Sequence, residues 1–206
     1  MKKKFLSLMM AAAVVATTSV SAFADEVVKQ DGGTVNVKIT GSVNDKHNKA
    51  PEGTISVTVP TALAFTVDSS NSLKGSSLTI TNNGTEKVDV FAYEFVDKDS
   101  TPTGIEVKKT LEDSDNRTKV KLNLSGNAGV ANFTSTITST EPKGIYGSTT
   151  APITDDGVKI ATVGKVGDTK NTEDLTLDGE AGKGSGEVEK AIREEFTLRL
   201  KIKKAS

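Results

Sequence analysis

Short apolar runs with a period of two dominate the chain after its first 24 residues. The segment TVNVKIT (34–40) places Val35, Val37 and Ile39 on one face, and TISVTV (54–59) repeats the pattern. Alternation of β-branched and polar residues is typical of half-buried strands. Further runs of this kind lie at 63–67, 77–81, 88–96, 118–125, 132–138, 158–163, 173–177 and 195–203.

Turn-forming residues separate these runs, as at Asn82-Asn83-Gly84 and Asp155-Asp156-Gly157. Many short strands with such punctuation predict an all-β fold, an antiparallel β-sandwich of Ig-like or jelly-roll type with about 8 to 10 strands. Pro60 should end the strand before it or mark a sheet edge, because proline has no N–H group for the sheet ladder. The segment EVEKAIREE (187–195) predicts either one short helix before the last strand or a solvated charged linker.

The run VDVFAYEFV (88–96) is apolar on both faces. Its even positions are apolar except for Glu94, and Phe91, Tyr93 and Phe95 lie on the opposite face. Such a strand is either central and covered on both sides, or bulged so that its inward face switches. Because the whole chain has only seven Phe, two Tyr and no Trp, we expect the three rings in the core rather than on a binding surface.

The first 24 residues have the layout of a secretory signal peptide. Three lysines precede an apolar stretch, and the segment ends in Ala22-Phe23-Ala24, which predicts cleavage before Asp25. The apolar stretch is shorter than the roughly 18 to 20 residues of a membrane-spanning helix. We therefore predict an exported chain with one β-sandwich domain over residues 25–206, located outside the cell or at its surface and without a membrane span.

Charge and cysteine content narrow the classes of partner. Removal of 24 of the 206 residues leaves 182, and the segment removed holds three of the 26 basic and none of the 27 acidic residues, so the remainder carries a net charge of −4. This mild acidity gives no electrostatic footprint for nucleic acid. The chain has no cysteine, which excludes disulfides and a lipidated cysteine.

The sequence shows no catalytic constellation, although carboxylates are plentiful. The single histidine, His47, lies in the polar segment VNDKHNKAP without a nucleophile-elbow pattern nearby. Zinc sites built from several histidines or thiolates are excluded within one chain. The glycine-rich GEAGKGSG (179–186) lacks the phosphate-loop pattern. We predict no enzyme, no cofactor, and no catalytic, cofactor-binding or metal-binding residues.

Two acidic segments raise the question of calcium, namely 97–106 and 111–117. Asp97 and Asp99 have the spacing of calcium ligands, but Pro102 stands where an EF-hand loop needs glycine. Solvated surface turns are the favoured interpretation of both segments.

A covalent bond between a lysine and an asparagine on neighbouring strands, promoted by a buried carboxylate, is a further option for an exported sandwich. Ordinary outward-facing positions are the favoured interpretation. The residues concerned are Lys38 or Lys121, Asn36 or Asn123, and Glu94.

The stretch LTITNNGTEKVDV (78–90) resembles a segment of exported Ig-like and jelly-roll domains, and most of all the TasA and camelysin group of secreted bacterial matrix proteins. GTISVTVPTALAFTV (53–67) with the closing FTLRLKIKKAS (196–206) more loosely resembles WxL-type surface proteins, although the chain lacks tryptophan. The resemblance implies an extracellular β-rich fold able to assemble into fibres or to coat a surface. It transfers no site residues.

We therefore expect a noncatalytic structural or adhesive protein of the bacterial cell surface or biofilm matrix. Its partners would be further copies, forming a homo-oligomer or fibre, or other surface proteins and glycans. In one version residues 25–41 act as a donor strand for a neighbouring copy; in the other they pair within their own sheet. The alternative function is a secreted module that binds a glycan or another ligand through loops, with Tyr146 as the loop aromatic.

Overall fold

The computed structural model describes residues 26–28, 34–38, 53–97, 104–139, 143–148, 152–186, 188 and 191–206. These residues form strands and turns, and none of them is helical. The strands are β1 (Glu26–Val28), β2 (Thr34–Lys38), β3 (Val57–Val59), β4 (Phe65–Val67), β5 (Leu73–Gly75), β6 (Ser77–Asn82), β7 (Val88–Asp97), β8 (Glu106–Val107), β9 (Lys119–Gly126), β10 (Gly129–Phe133), β11 (Ile145–Tyr146), β12 (Ile153–Thr154), β13 (Gly157–Val163), β14 (Thr172–Ala181) and β15 (Phe196–Lys204).

The strands form two main sheets and a ribbon. The large sheet has eight strands in the order β1-β3-β6-β14-β9-β10-β11, with β8 paired beside β9. The small sheet has five strands in the order β12-β13-β7-β15-β2, and β4 and β5 form a separate two-stranded ribbon. Every described pair is antiparallel except β8 with β9. The all-β, antiparallel, sandwich-like prediction is confirmed.

One apolar core lies between the two main sheets. Alternate residues of β9 and β15 are fully buried, among them Leu122, Leu124, Leu198 and Leu200. These two strands therefore turn a polar row outward and an apolar row inward, as the period of two predicts.

Three stacked phenylalanine rings join the sheets inside this core. Phe95 on β7 lies 4.8 Å from Phe133 on β10 and 5.2 Å from Phe196 on β15, measured between ring centroids. Phe133 belongs to the large sheet and the other two to the small sheet. The stack therefore ties the two layers together through aromatic contact.

A bulge in β7 explains why that run is apolar on both faces. Arg199 of β15 pairs with Glu94, but the next residue, Leu200, pairs with Ala92, so that Tyr93 is the extra residue. The buried positions accordingly switch from the even residues up to Ala92 to Phe95. Of the two predicted alternatives, the bulge that switches the inward face is confirmed.

Two details of the sequence prediction need correction. There are more strands than 8 to 10, with fifteen in the described residues, because several at the sheet edges are only two residues long, such as β8, β11 and β12. The helix before the last strand is wrong for residues 191–195, which have no regular secondary structure and fit the linker alternative. Pro60 does follow the last residue of β3.

The turn between β6 and β7 is built around a buried asparagine. The side-chain Nδ2 of Asn82 donates to the carbonyl oxygens of Glu86 (2.7 Å) and Gly164 (2.8 Å), and its Oδ1 accepts the N–H of Gly84 (2.9 Å). Asn82 is fully buried. The sequence NNG therefore forms a turn whose first residue also fastens the loop after β13.

The N-terminal strands complete one edge of each main sheet. β1 pairs with β3 at an edge of the large sheet, and β2 pairs with β15 at an edge of the small sheet. In the single chain, then, both strands within 25–41 pair with strands of their own chain. The predicted signal peptide, residues 1–24, lies outside the described residues.

Candidate functional site

The outer face of the small sheet carries the two remaining rings of the aromatic stripe. Phe91 and Tyr93 are half-buried there, whereas Phe95 is fully buried in the core. The Lys143 ammonium lies 3.6 Å from the centre of the Tyr93 ring, and that of Lys201 lies 5.4 Å from it. Lysine therefore already contacts this ring, through cation–π interactions. The prediction of a stripe in the core is right for Phe95 only.

A network of ion pairs crosses the same face, and we call it the lysine–aspartate network. Its best-connected member is Asp156, in the turn between β12 and β13, which binds Lys201 (2.6 Å) and Lys203 (2.7 Å) with its two oxygens. Elsewhere on this face, the Asp89 carboxylate forms an ion pair with Lys159 (2.7 Å) and accepts a hydrogen bond from the Thr162 hydroxyl (2.7 Å). The acidic side chains are thus engaged by groups of the chain itself.

The two ion pairs of Asp156 predict how the stability of the fold depends on pH. Hydrogen bonds from Lys201 and then Lys203 lower the pKa of Asp156 below its usual 3.8. A carboxyl with a depressed folded pKa contributes stability above its unfolded pKa, and that contribution is lost as the pH falls through the lower, folded value. Asp156→Asn should therefore lower the melting temperature at neutral pH, and the gap from wild type should close in acid. A gap that is constant from neutral to acidic pH would contradict this assignment.

A groove lies beside the start of β15 in the described part of the surface. Its volume is about 720 Å³. Phe65, Val67, Ile105 and Phe196 give it an apolar floor. The remaining lining residues include Ala64, Thr66, Asp68, Ser69, Arg117, Thr118, Val188, Ala191, Ile192, Arg193, Glu194 and Glu195.

Some of the polar side chains that line the groove form hydrogen bonds with backbone groups of the chain. The Arg117 guanidinium donates to the carbonyl oxygen of Val188 (3.1 Å), and the Glu194 carboxylate accepts the N–H of Ile105. Ile192, by contrast, remains 39% exposed. An apolar floor with a few charged groups at the rim suits binding of a ligand with an apolar part. Sequence reasoning missed this groove because its walls come from distant parts of the chain.

Tyr146 is not the exposed loop aromatic that the sequence predicted. It lies in β11 and is half-buried, and its hydroxyl donates to the carbonyl oxygen of Lys109 (3.2 Å). The Lys109 ammonium lies 4.9 Å from the centre of its ring. A side chain held in this way does not form an open platform for a sugar ring.

The residues considered for a lysine–asparagine bond lie on three strands, β2, β7 and β9. Lys121 and Asn123 lie two positions apart on β9, where they stand opposite Glu180 and Asp178 of β14, respectively. Glu94 pairs with Arg199 at 2.6 Å. Lys38 and Asn36 of β2 stand opposite Thr197 and Arg199.

The acidic and glycine-rich segments have structural roles where they are described. In 111–117, Asp115 binds the Lys108 ammonium (2.8 Å) and accepts the N–H of Glu112 (2.8 Å). In 179–186, the N–H of Gly184 donates to the carbonyl oxygen of Asp115 (2.6 Å), where a Cβ would overlap the Ser114 carbonyl. Within the described ranges no group of three or more His, Asp or Glu side chains is placed to hold a metal ion. Three residues named above, His47, Asp99 and Pro102, lie outside those ranges.

Comparison with known proteins adds no relative. No family model matches the sequence, and neither curated proteins nor solved structures give a match. In the part of the chain that is described, no helix is long and apolar enough to cross a membrane.

Proposed function

We propose that this chain is an exported, noncatalytic structural protein of the bacterial cell surface or extracellular matrix, which assembles by exchange of its N-terminal strands. One observation carries the proposal: β1 and β2 each complete an edge of a different sheet. Both strands lie close to the N-terminus that the predicted cleavage before Asp25 would create. The sequence features of export, and the resemblance to secreted matrix proteins, support the location.

The pairing geometry explains how such an assembly would form. If β2 left its place, β15 would present a row of unpaired backbone groups along that edge, and β3 would do the same without β1. The same strand from a second copy satisfies the same hydrogen bonds. Protein concentration then decides whether a strand pairs within its own chain or with a second copy. When the exchange between copies runs head to tail, it propagates into a fibre.

We expect deletion of residues 25–41 to abolish concentration-dependent polymers of the chain that begins at Asp25. The measurement is light scattering over a concentration series, with electron microscopy of the products. In a length-matched control, residues 34–38 are replaced by Gly and Ser. This variant keeps the chain length but loses the strand pattern of β2, so it should not form polymers either. Ordered fibres that survive both changes would rule out exchange through these strands.

The groove favours a second candidate function, a secreted ligand-binding module. This function predicts a chain that stays monomeric at every concentration and binds an apolar fluorescent probe. Ile192→Asp should weaken that binding, because Ile192 lines the groove. The matched control is Ile137→Asp, at a hydrophobic residue that is 54% exposed and outside the groove. Equal probe binding by both variants would contradict a site in the groove.

A further inference from the structure

Asn83–Gly84 is the one Asn-Gly pair in the whole sequence. This pair is prone to spontaneous deamidation, because glycine has no side chain to hinder attack by its own backbone nitrogen on the asparagine side chain. The reaction needs two things: a free Gly84 nitrogen, and an Asn83 side chain able to swing its Cγ onto that nitrogen.

The fold holds both groups away from the reaction. The N–H of Gly84 donates to Asn82 Oδ1 (2.9 Å) in a buried bond. The Asn83 side chain donates through Nδ2 to Thr58 Oγ1 (2.8 Å), and its backbone N–H donates to the carbonyl oxygen of Ser56 (2.7 Å). Asn83 is only 8% exposed. The reacting atoms are therefore fixed from both sides.

We propose that Asn83–Gly84 is a modification site that the fold keeps closed, and that it deamidates only in molecules whose turn between β6 and β7 has opened. In the open turn the Gly84 nitrogen loses its proton and forms a bond to Cγ of Asn83. The Cγ–Nδ2 bond of Asn83 breaks, and Nδ2 leaves as ammonia after taking up the proton that the Gly84 nitrogen lost. Water then opens the cyclic imide at either carbonyl, which gives aspartate or isoaspartate at position 83.

The two products have different consequences for the fold. Aspartate keeps the backbone unchanged, and the Thr58 hydroxyl is able to donate to the new carboxylate. Isoaspartate adds a methylene to the main chain between two N–H groups that have fixed partners. Gly84 is packed so closely that a Cβ there would overlap the carbonyl oxygen of Thr54. The isoaspartate chain therefore has no room to re-form the turn, and the modification traps molecules that have opened.

The first test compares deamidation of the full exported chain in its folded state and in urea, at the same mildly alkaline pH. Peptide mapping with isoaspartate-specific methylation quantifies the product at Asn83. The folded chain should react at least about tenfold more slowly, because only the open fraction reacts. Thr58→Val should speed the folded reaction several-fold, whereas Thr79→Val, at a surface threonine of β6, should leave it unchanged. Equal rates in the folded and unfolded chains, no product in the unfolded chain, or a folded Thr58→Val chain no faster than wild type would overturn the proposal.

The second test addresses the trap. After partial deamidation in urea and removal of the urea, isoaspartate chains should be missing from the refolded fraction. The Asn83→Asp variant, as the matched control for the charge, should refold. Recovery of isoaspartate chains in the refolded fraction at the same yield would overturn this part.

Discussion

We expect Asn82→Ala to lower the free energy of unfolding by about 3 to 5 kcal/mol, because it leaves three backbone groups, two of them in buried hydrogen bonds, without their partner. The groups are the carbonyl oxygens of Glu86 and Gly164 and the N–H of Gly84, each within 2.9 Å of the fully buried Asn82 side chain. Urea denaturation measures the loss, with an unchanged m-value as the sign that only stability has changed.

The neighbouring asparagine supplies the matched control for this prediction. Asn83→Ala removes a single side-chain hydrogen bond, to Thr58, and should cost about 1 kcal/mol. Asn82→Asp should also destabilise the protein at neutral pH, because a carboxylate oxygen would replace the donor that faces two carbonyl oxygens. If Asn82→Ala costs no more than Asn83→Ala, the turn is not organised around Asn82.

The second large effect should come from Phe95→Ala, which removes the middle ring of the stack between the sheets. Phe95 is fully buried, with Phe133 and Phe196 on either side at 4.8 and 5.2 Å. A large-to-small change of this kind in a close-packed core costs about 3 to 5 kcal/mol, because it loses burial and leaves a cavity. Chemical denaturation followed by circular dichroism measures it.

Phe91→Ala is the matched control, since it removes the same side chain from the same strand on its outer face. Phe91 is only half-buried, and its loss should cost about 1 to 2 kcal/mol. The reverse order, with Phe91→Ala more damaging than Phe95→Ala, would contradict the switch of the inward face at Tyr93.

The sequence was sufficient for the fold class, because a period of two is a local signal. The same pattern could not choose between the two interpretations of VDVFAYEFV. A bulge depends on how Arg199 and Leu200 align with β7, and these partners lie about a hundred residues away along the chain. The helix alternative for 191–195 failed for a related reason: the Glu194 carboxylate accepts the N–H of Ile105, 89 residues away along the chain, and helix propensity does not register such tertiary contacts.

The sites depend still more on distant contacts. NNG is visibly a turn, but only the contact with Gly164, 82 residues further on, makes Asn82 its buried member. Tyr146 stands in the segment PKGIYGSTTAP (142–152), whose turn-forming residues predict a loop, yet it lies in β11, which pairs with β10. The groove combines residues near 65, 105, 117 and 192, and no local pattern links them.

Disulfide trapping tests strand exchange most directly, because the chain has no cysteine of its own. Lys38 of β2 stands opposite Thr197 of β15, and directly opposed antiparallel residues are close enough for a disulfide. A polymerising mixture of chains that carry either Lys38→Cys or Thr197→Cys should give covalent dimers on mild oxidation. The pair Thr34→Cys and Thr197→Cys should not, because Thr34 stands opposite Lys201. Polymers without the 38–197 cross-link, or with equal yields from both pairs, would contradict assembly by exchange of β2.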